Sequence, residues 1–492
     1  MVFCGKPSDA CEGCRTRRIK CDRKIPSCTQ CINKSIECTG YRNQLDLSFR
    51  NETKKVVQKF EKTQRKLNQK TAKSRSPELI KQSRQSTMIW VPPSLDQPVQ
   101  DAAVCHFLTA YAPGSHFDYL AEIYTKVPAT TPFLASTSAA AMANLSRERK
   151  EPEILKRART FYAQALEQTT SALQSNDATL DSTLISVLIL SLFETVAQDS
   201  CISSDGWNTH IFGALALLKM RGPRQFETAL GRKLYIHVSN NIRVTCAQRA
   251  KPLPLDFIEL DIMAMPYMDY SSPILRTWPI VDDFIELQIM LRDKEASDPA
   301  ERLRIAMKVE DACFELSNTL QPPWTYEIVD AEETPNEAFR FFAHRYSSHL
   351  IARLWNSIRM IRLFVNEVIV EGTAVKPDAS QAERNAWLLI RSVAAQTAQN
   401  MAMDILASVP QFIRTPLQDP SKRLSATIAG GFIWPISAVG GSKLVSIDTR
   451  WYATESLHII GREARLPQAT TIAEMLETGQ DPMQWLHMFH LA

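Results

Sequence analysis

Residues 11–38 read CEGCRTRRIKCDRKIPSCTQCINKSIEC. The six cysteines stand as Cys11-x2-Cys14-x6-Cys21-x6-Cys28-x2-Cys31-x6-Cys38, two C-x2-C-x6-C halves in tandem. A C-x2-C pair offers two thiolates to one metal, which is zinc spacing. The third cysteine of each half sets the metal count. One tetrahedral zinc takes four sulfurs and strands two, whereas two zincs need eight ligand positions from six sulfurs. The count closes if two thiolates each bridge both metals, and the equivalence of the halves makes Cys11 and Cys28 the natural pair. Such a shell is closed, with no position for a water, so the zinc is structural. A module of roughly 40 residues has too little apolar surface to hold itself together, and the metal supplies the folding energy. Six thiolates and two Zn²⁺ leave a net negative cluster, which nearby Lys and Arg offset.

The pattern resembles the binuclear zinc cluster (Zn2Cys6, six-cysteine) family of fungal transcription regulators. The likeness covers residues 11–38: all six cysteines, the basic loop Arg15, Arg17, Arg18 and Lys20, the triplet Lys20-Cys21-Asp22, and Pro26 before Cys28. It implies that Cys11 and Cys28 bridge two zinc ions, that Cys14 and Cys21 complete one site, and that Cys31 and Cys38 complete the other. It also implies a partner, double-stranded DNA, and a target, the CGG triplet. Arg15 to Lys20 are expected to follow Cys14 as a short helical turn. Carried over by position, Arg17 and Arg18 are the expected base readers, since Arg pairs with O6 and N7 of guanine. Arg15, Lys20, Arg23 and Lys24 are the expected phosphate contacts. The family often has Lys where this chain has Arg18.

Charge agrees with a nucleic-acid partner. Residues 1–90 hold 21 Lys and Arg against 8 Asp and Glu, although the whole chain is only +4. A basic arm on a mildly acidic body is an electrostatic footprint of nucleic-acid binding. Residues 1–40 form the expected DNA-binding domain. Residues 41–100 read as a basic linker, from Lys54 to Arg75, closed by Pro92-Pro93 and Pro98. Val56, Phe60, Thr63 and Leu67 follow a coiled-coil spacing over about two heptads. That seam is compatible with homodimerisation through the linker or with a solvated basic segment.

Residues 101–492 read as a large all-α domain. Helical periodicity runs over Glu153–Ser175, along Trp207, Ile211, Ala214 and Leu218 up to Gly222-Pro223, over Phe339–Val370 and over Ala382–Val409. The charge-free stretch between Arg423 and Lys443, with four glycines and Pro435, reads as a buried, broken helix pair. Leu184–Phe193 is too short to span a bilayer, and the first ten residues carry no signal-peptide pattern, so no membrane partner is expected. Tyr162-Ala163 with Ala165-Leu166, Trp207 to His210, Gly213-Ala214, Leu217-Leu218 and Arg221-Gly222 resemble the helical regulatory domain that follows the cluster in many of these fungal proteins.

Catalytic signatures are missing: there is no G-x-S-x-G, P-loop, G-x-G-x-x-G or H-E-x-x-H. His344 and His349 fall off one helical face, and His487 and His490 read as a packed chain end. Asp282-Asp283 with Glu286 reads as a charged helix face rather than a diphosphate site. Cys4, Cys105, Cys201, Cys246 and Cys313 read as free thiols, mostly buried. Trp207 and His210 read as core or capping residues. The expectation is therefore a nuclear, non-enzymatic regulator of RNA polymerase II genes that engages the transcription machinery, with a metabolic gene cluster among its candidate targets. Two rivals stand beside it. One is a zinc-cluster scaffold protein binding protein or RNA, and the other is an enzyme with a zinc targeting module.

Overall fold

The computed structural model describes residues 10–24, 27–36, 38, 96–128, 131–197, 205–330, 342–373, 380–414, 416 and 424–480. The chain separates into two compact units, residues 1–91 and 92–492. The first contains the short helices Glu12–Thr16 and Thr29–Ile32. The linker seam at Val56, Phe60, Thr63 and Leu67 lies outside the described residues.

The second unit is helical, with one two-stranded hairpin among its described residues. Its helix Asp96–His106 starts before residue 101, where the sequence pattern placed the body. Pro98 sits in that helix's first turn. A proline there removes no intrahelical hydrogen bond, so it does not mark the end of the linker.

Helices Pro132–Arg149, Pro152–Leu173, Asp181–Ala197 and Asp205–Arg221 build the first core. Proline opens the first two, where its fixed φ suits the first helical position. The apolar run Leu184–Phe193 is the buried rod of this core: Leu184, Ile185, Leu188, Ile189 and Leu192 are fully enclosed. The expected stripe meets it through Ile211, Ala214 and Leu218, and Trp207 belongs to the same core. Gly222, at φ 62, stops that helix just before Pro223. No described helix is long and apolar enough to cross a membrane.

Close approach of backbone explains one glycine in this half. Gly231 lies in the first turn of helix Ala229–Arg249, and a Cβ there would stand 1.8 Å from the Gln225 carbonyl oxygen. That oxygen is backbone and cannot swing aside. Gly231→Ala is expected to lower unfolding free energy by about 3 kcal/mol, the upper end of overpacking costs. An unchanged urea midpoint would contradict this packing.

Two features of the C-terminal half differ from the sequence pattern. Within the segment read as a helix from Phe339 to Val370, the first described residues form a strand. Tyr326–Asp330 pairs antiparallel with Phe342–Tyr346, and the helix runs only over His349–Gly372. Aromatic packing decides the matter: the Tyr326 ring lies 4.3 Å from that of His344 and 4.8 Å from that of Trp355. Ser348 then starts the helix by accepting from the Ile351 N–H. Between Arg423 and Lys443 the structure has one helix, Ala426–Gly441, with Pro435 inside it, rather than a broken pair. An internal proline costs about 3 kcal/mol. Phe432, Ile433, Ile436 and Val439 are all fully buried, and at roughly 2 kcal/mol each they outweigh that cost. Gly440 lets Leu476 pack close: a Cβ there would stand 2.6 Å from Leu476 Cδ1, a side-chain end that could shift aside. The other long helix, Gln381–Ala407, lies where periodicity placed it and opens with a Ser380–Glu383 capping box.

Candidate metal and nucleic-acid site

Two short helices carry the cysteine pairs. Cys14 lies in Glu12–Thr16 and Cys31 in Thr29–Ile32, and Cys11 and Cys28 stand 17 residues apart. Both helices stop in the same way. Arg18 at φ 54 and Ser35 at φ 52 turn left-handed. The next N–H then returns to a cysteine carbonyl: Ile19 N donates to Cys14 O and Ile36 N to Cys31 O, both at 3.0 Å. This is the Schellman stop, made twice, and it turns a repeat in sequence into a repeat in space. The helical turn expected over Arg15–Lys20 therefore lies earlier and ends at Thr16, because the chain must bend back to bring Cys21 in. Asp22 ties the halves together. Its carboxylate accepts from the Thr29 N–H at 3.1 Å and from Thr29 Oγ1 at 2.5 Å. The Thr29 hydroxyl and backbone bonds hold the Asp22 acid below its usual range.

The interior of this unit is sulfur. Cys11, Cys14, Cys28 and Cys31 are 0% exposed, while Ile19, Ile32 and Ile36 are 40%, 60% and 46% exposed. Cys21 and Cys38 pack against the four buried cysteines. Such an arrangement reverses a hydrophobic core and makes sense only if something other than apolar burial holds it. The sulfur spacing says what. Cys11 Sγ lies 3.7 Å from the Sγ atoms of Cys28 and of Cys31, and Cys14 Sγ lies 3.6 Å from Cys28 Sγ. A tetrahedron with Zn–S bonds of about 2.3 Å has S···S edges of about 3.8 Å. Two sets of four have all their sulfurs within 4.8 Å of one another: Cys11, Cys14, Cys21 and Cys28, and Cys11, Cys28, Cys31 and Cys38. Cys11 and Cys28 occur in both sets.

Crowded sulfurs resist ionising together. Burial, then the Cys11 and Cys28 sulfurs, push the Cys14 thiol up. The Cys28 sulfur, then burial, push Cys31 up to about 12. A divalent cation reverses that logic, because a coordinating thiol is deprotonated outright. The donor set fits zinc, whose role here is to hold the fold.

The basic residues divide by position. Arg17 is half-buried and turned to the sulfurs: its Nε donates to Gly13 O at 2.9 Å and its Nη2 reaches Cys31 Sγ at 3.5 Å. That guanidinium offsets cluster charge, a role the sequence pattern gave to the basic residues only collectively. Arg18, Lys20, Arg23 and Lys24 are exposed. The side chain of Arg15 lies outside the described residues. Sequence reasoning missed Asp22 as the tie between the halves, since nothing local connects it to Thr29.

The other sequence candidates are structural. Asp282 accepts from Arg243 Nε at 2.8 Å, and Asp283 pairs with Lys308 at 2.7 Å. His344 is a buried strand residue, and His349 bonds the Gly114 carbonyl at 2.7 Å. His210 meets the Tyr162 hydroxyl at 3.4 Å. Cys246 and Cys313 are buried and Cys105 is exposed, while Cys4, Cys201, His487 and His490 lie outside the described residues.

Comparison with known proteins agrees with this geometry. Residues 9–48 match the model of the Fungal Zn(2)-Cys(6) binuclear cluster domain, and residues 103–264 match that of the Fungal specific transcription factor domain. Residues 9–48 thus carry a cluster domain of the fungal Zn(2)-Cys(6) type, which takes two zinc ions, and residues 103–264 carry a domain of the fungal specific transcription factor type. Both families are those of regulators, not enzymes. Over 90 residues the chain is 36% identical to "Uncharacterized protein AN5342" of Emericella nidulans, a match that covers 18% of each chain. No solved structure matches the chain.

Proposed function

We propose that this regulator acts in the nucleus on RNA polymerase II genes by reading CGG-type triplets in double-stranded DNA through its cluster domain. In this reading Cys11 and Cys28 bridge the two zincs, Cys14 and Cys21 complete one shell, and Cys31 and Cys38 complete the other. The observation that carries it is a sulfur interior with a basic rim outside it. Arg18 stands exposed just past the end of the first helix, the place from which a side chain reaches a base edge, and it is the base reader. Lys20, Arg23 and Lys24 contact phosphates, and Arg15 keeps the phosphate role assigned by position. Arg17, turned to the sulfurs, positions the rim and contributes second to base reading. Affinity comes largely from phosphate neutralisation and specificity from a few base contacts. The basic linker sets homodimer geometry, and the helical body meets the transcription machinery.

Arg18→Ala tests the assignment. A bidentate Arg–guanine pair contributes about 1–3 kcal/mol of discrimination. Binding of the full chain to a CGG duplex, measured by fluorescence anisotropy at fixed salt, is expected to weaken by about tenfold or more. Binding to a scrambled duplex is expected to change by less than about twofold. Equal loss on both duplexes would remove Arg18 from base reading.

A further inference from the structure

The helix Leu255–Ala264 is apolar on two faces. Phe257, Leu260 and Ala264, spaced i, i+3 and i+7, are fully buried in the first core. Leu255, Ile258 and Ile262 repeat that spacing, and all three are exposed, Leu255 at 79% and Ile262 at 59%. At 3.6 residues per turn the two sets are centred nearly half a turn apart. A helix needs one apolar face to join a core, and one that is apolar all round is ordinarily buried all round. Here one face is covered and the other is not.

The chain extends the uncovered face. Met263, Met265, Tyr267 and Tyr270 are exposed as well. Single exposed apolar residues are ordinary on a protein surface, but a contiguous apolar patch marks an interaction site. Methionine suits such a patch, since its flexible thioether adapts to the shape of a partner.

Charge says what covers it. Residues 252–275 contain four carboxylates, Asp256, Glu259, Asp261 and Asp269, and no Lys, Arg or His. Asp256 and Asp261 fall on the two borders between the buried and exposed faces, and the body already neutralises them. Asp256 pairs with Lys219 at 2.8 Å and Asp261 with Arg243 at 2.7 Å. Glu259 stands exposed within the outer face, and Asp269 is exposed beyond its end, bonded to Ser271 in its own turn. Their charge is left for a partner. A second copy of this chain is a poor fit, because a two-fold contact sets Glu259 against its own counterpart, and like charges across an interface are penalised. Nucleic acid and anionic lipid are repelled by the same carboxylates. The stripe from Leu255 to Ile262 rises roughly 10 Å, about two turns of helix, and helical partners are read through apolar anchors at this spacing. We propose that this face docks an amphipathic helix of another protein, one that carries Lys or Arg beside large apolar residues. The inference rests on the reading that the body meets other proteins and is independent of how the cluster reads DNA.

The test uses the full-length zinc-loaded protein and a fluorescein-labelled helical peptide, LKKLLKLLKKLLKL, with LEELLELLEELLEL as control. Fluorescence anisotropy is expected to show binding of the lysine peptide in the micromolar range and none of the glutamate peptide at the same concentrations. Leu255→Ser with Ile262→Ser removes the two most exposed anchors of the helix. It is expected to keep the melting temperature and to weaken binding by about tenfold or more. Glu259→Lys reverses the charge of the face and keeps the test alive if the double variant does not fold. It is expected to weaken binding by about tenfold at low salt and by less at high salt, because an exposed charge is screened. Leu389→Ser changes an exposed leucine of helix Gln381–Ala407 and is expected to leave peptide binding unchanged. All these variants are expected to bind a CGG duplex as the unmodified protein does, so a failure of the DNA reading would show in duplex binding and not in peptide binding. Absence of lysine-peptide binding by the unmodified protein, equal binding of the glutamate peptide, undiminished binding in both face variants, or an equal loss in Leu389→Ser would overturn the proposal.

Discussion

Cys28→Ser is expected to remove both zinc ions, whereas Cys38→Ser removes one. The reason is geometric. Cys28 Sγ belongs to both four-sulfur sets, while Cys38 belongs to one. Structural zinc in small domains contributes roughly 10–16 kcal/mol of apparent binding free energy at neutral pH. A cluster domain whose interior is sulfur has nothing of that size to fall back on, so loss of both metals unfolds it. Metal content after exhaustive dialysis reads the difference directly: near zero zinc per chain for Cys28→Ser and about one for Cys38→Ser, against two for the unchanged protein. DNA binding should vanish with the first substitution. The thermal transition of the body should persist in both variants, because residues 92–492 form a separate compact unit. One zinc retained by Cys28→Ser would mean that the sulfurs are not shared in this way.

Arg243→Met is expected to destabilise the body by about 3–5 kcal/mol, the cost of leaving buried charge unpaired. The Arg243 side chain is 3% exposed and holds two carboxylates, Asp261 at 2.7 Å and Asp282 at 2.8 Å. Its guanidinium also lies 4.3 Å from the centre of the Trp278 ring. Methionine replaces the stem and not the charge, so Asp261 and Asp282 would face one another without a cation. Burial already raises the Asp282 acid above its usual range, and without the cation it would hold its proton more tightly still in the folded state. Folded-state proton binding above the unfolded value means that stability rises as pH falls. The deficit of Arg243→Met should therefore be largest near neutral pH and shrink as the pH drops into the carboxylate range. Urea titrations at several pH values check both the size and the sign. Asp282→Asn should cost less, since Arg243 keeps Asp261.

The cluster domain was the most legible part of the sequence because metal ligation is local. Six cysteines within 28 residues specify ligand count and symmetry with no knowledge of distant contacts. Long amphipathic helices were legible for a similar reason: Ile154, Ala158, Ala165 and Ala172 announce their own buried face. What stayed hidden depends on partners far along the chain. The strand Phe342–Tyr346 looked like the start of a helix, because its pairing with Tyr326–Asp330 leaves no mark in its own apolar pattern. Pro435 and its glycines looked like a break, because only the surrounding helices reveal that burial outweighs the missing hydrogen bond. Arg17 looked like its neighbour Arg18, and only the fold turns one toward Cys31 and leaves the other exposed. The Asp282 carboxylate looked like charged surface, because its partner Arg243 lies 39 residues away.

The central claim, a two-zinc cluster that reads a DNA triplet, is tested most directly by selection from random duplex DNA with the full-length protein carrying two zincs. The account predicts enrichment of CGG, with paired triplets at a fixed spacing if the linker dimerises and single triplets if it does not. Recovery of sequences without CGG enrichment, from protein verified to hold both metals, would contradict it.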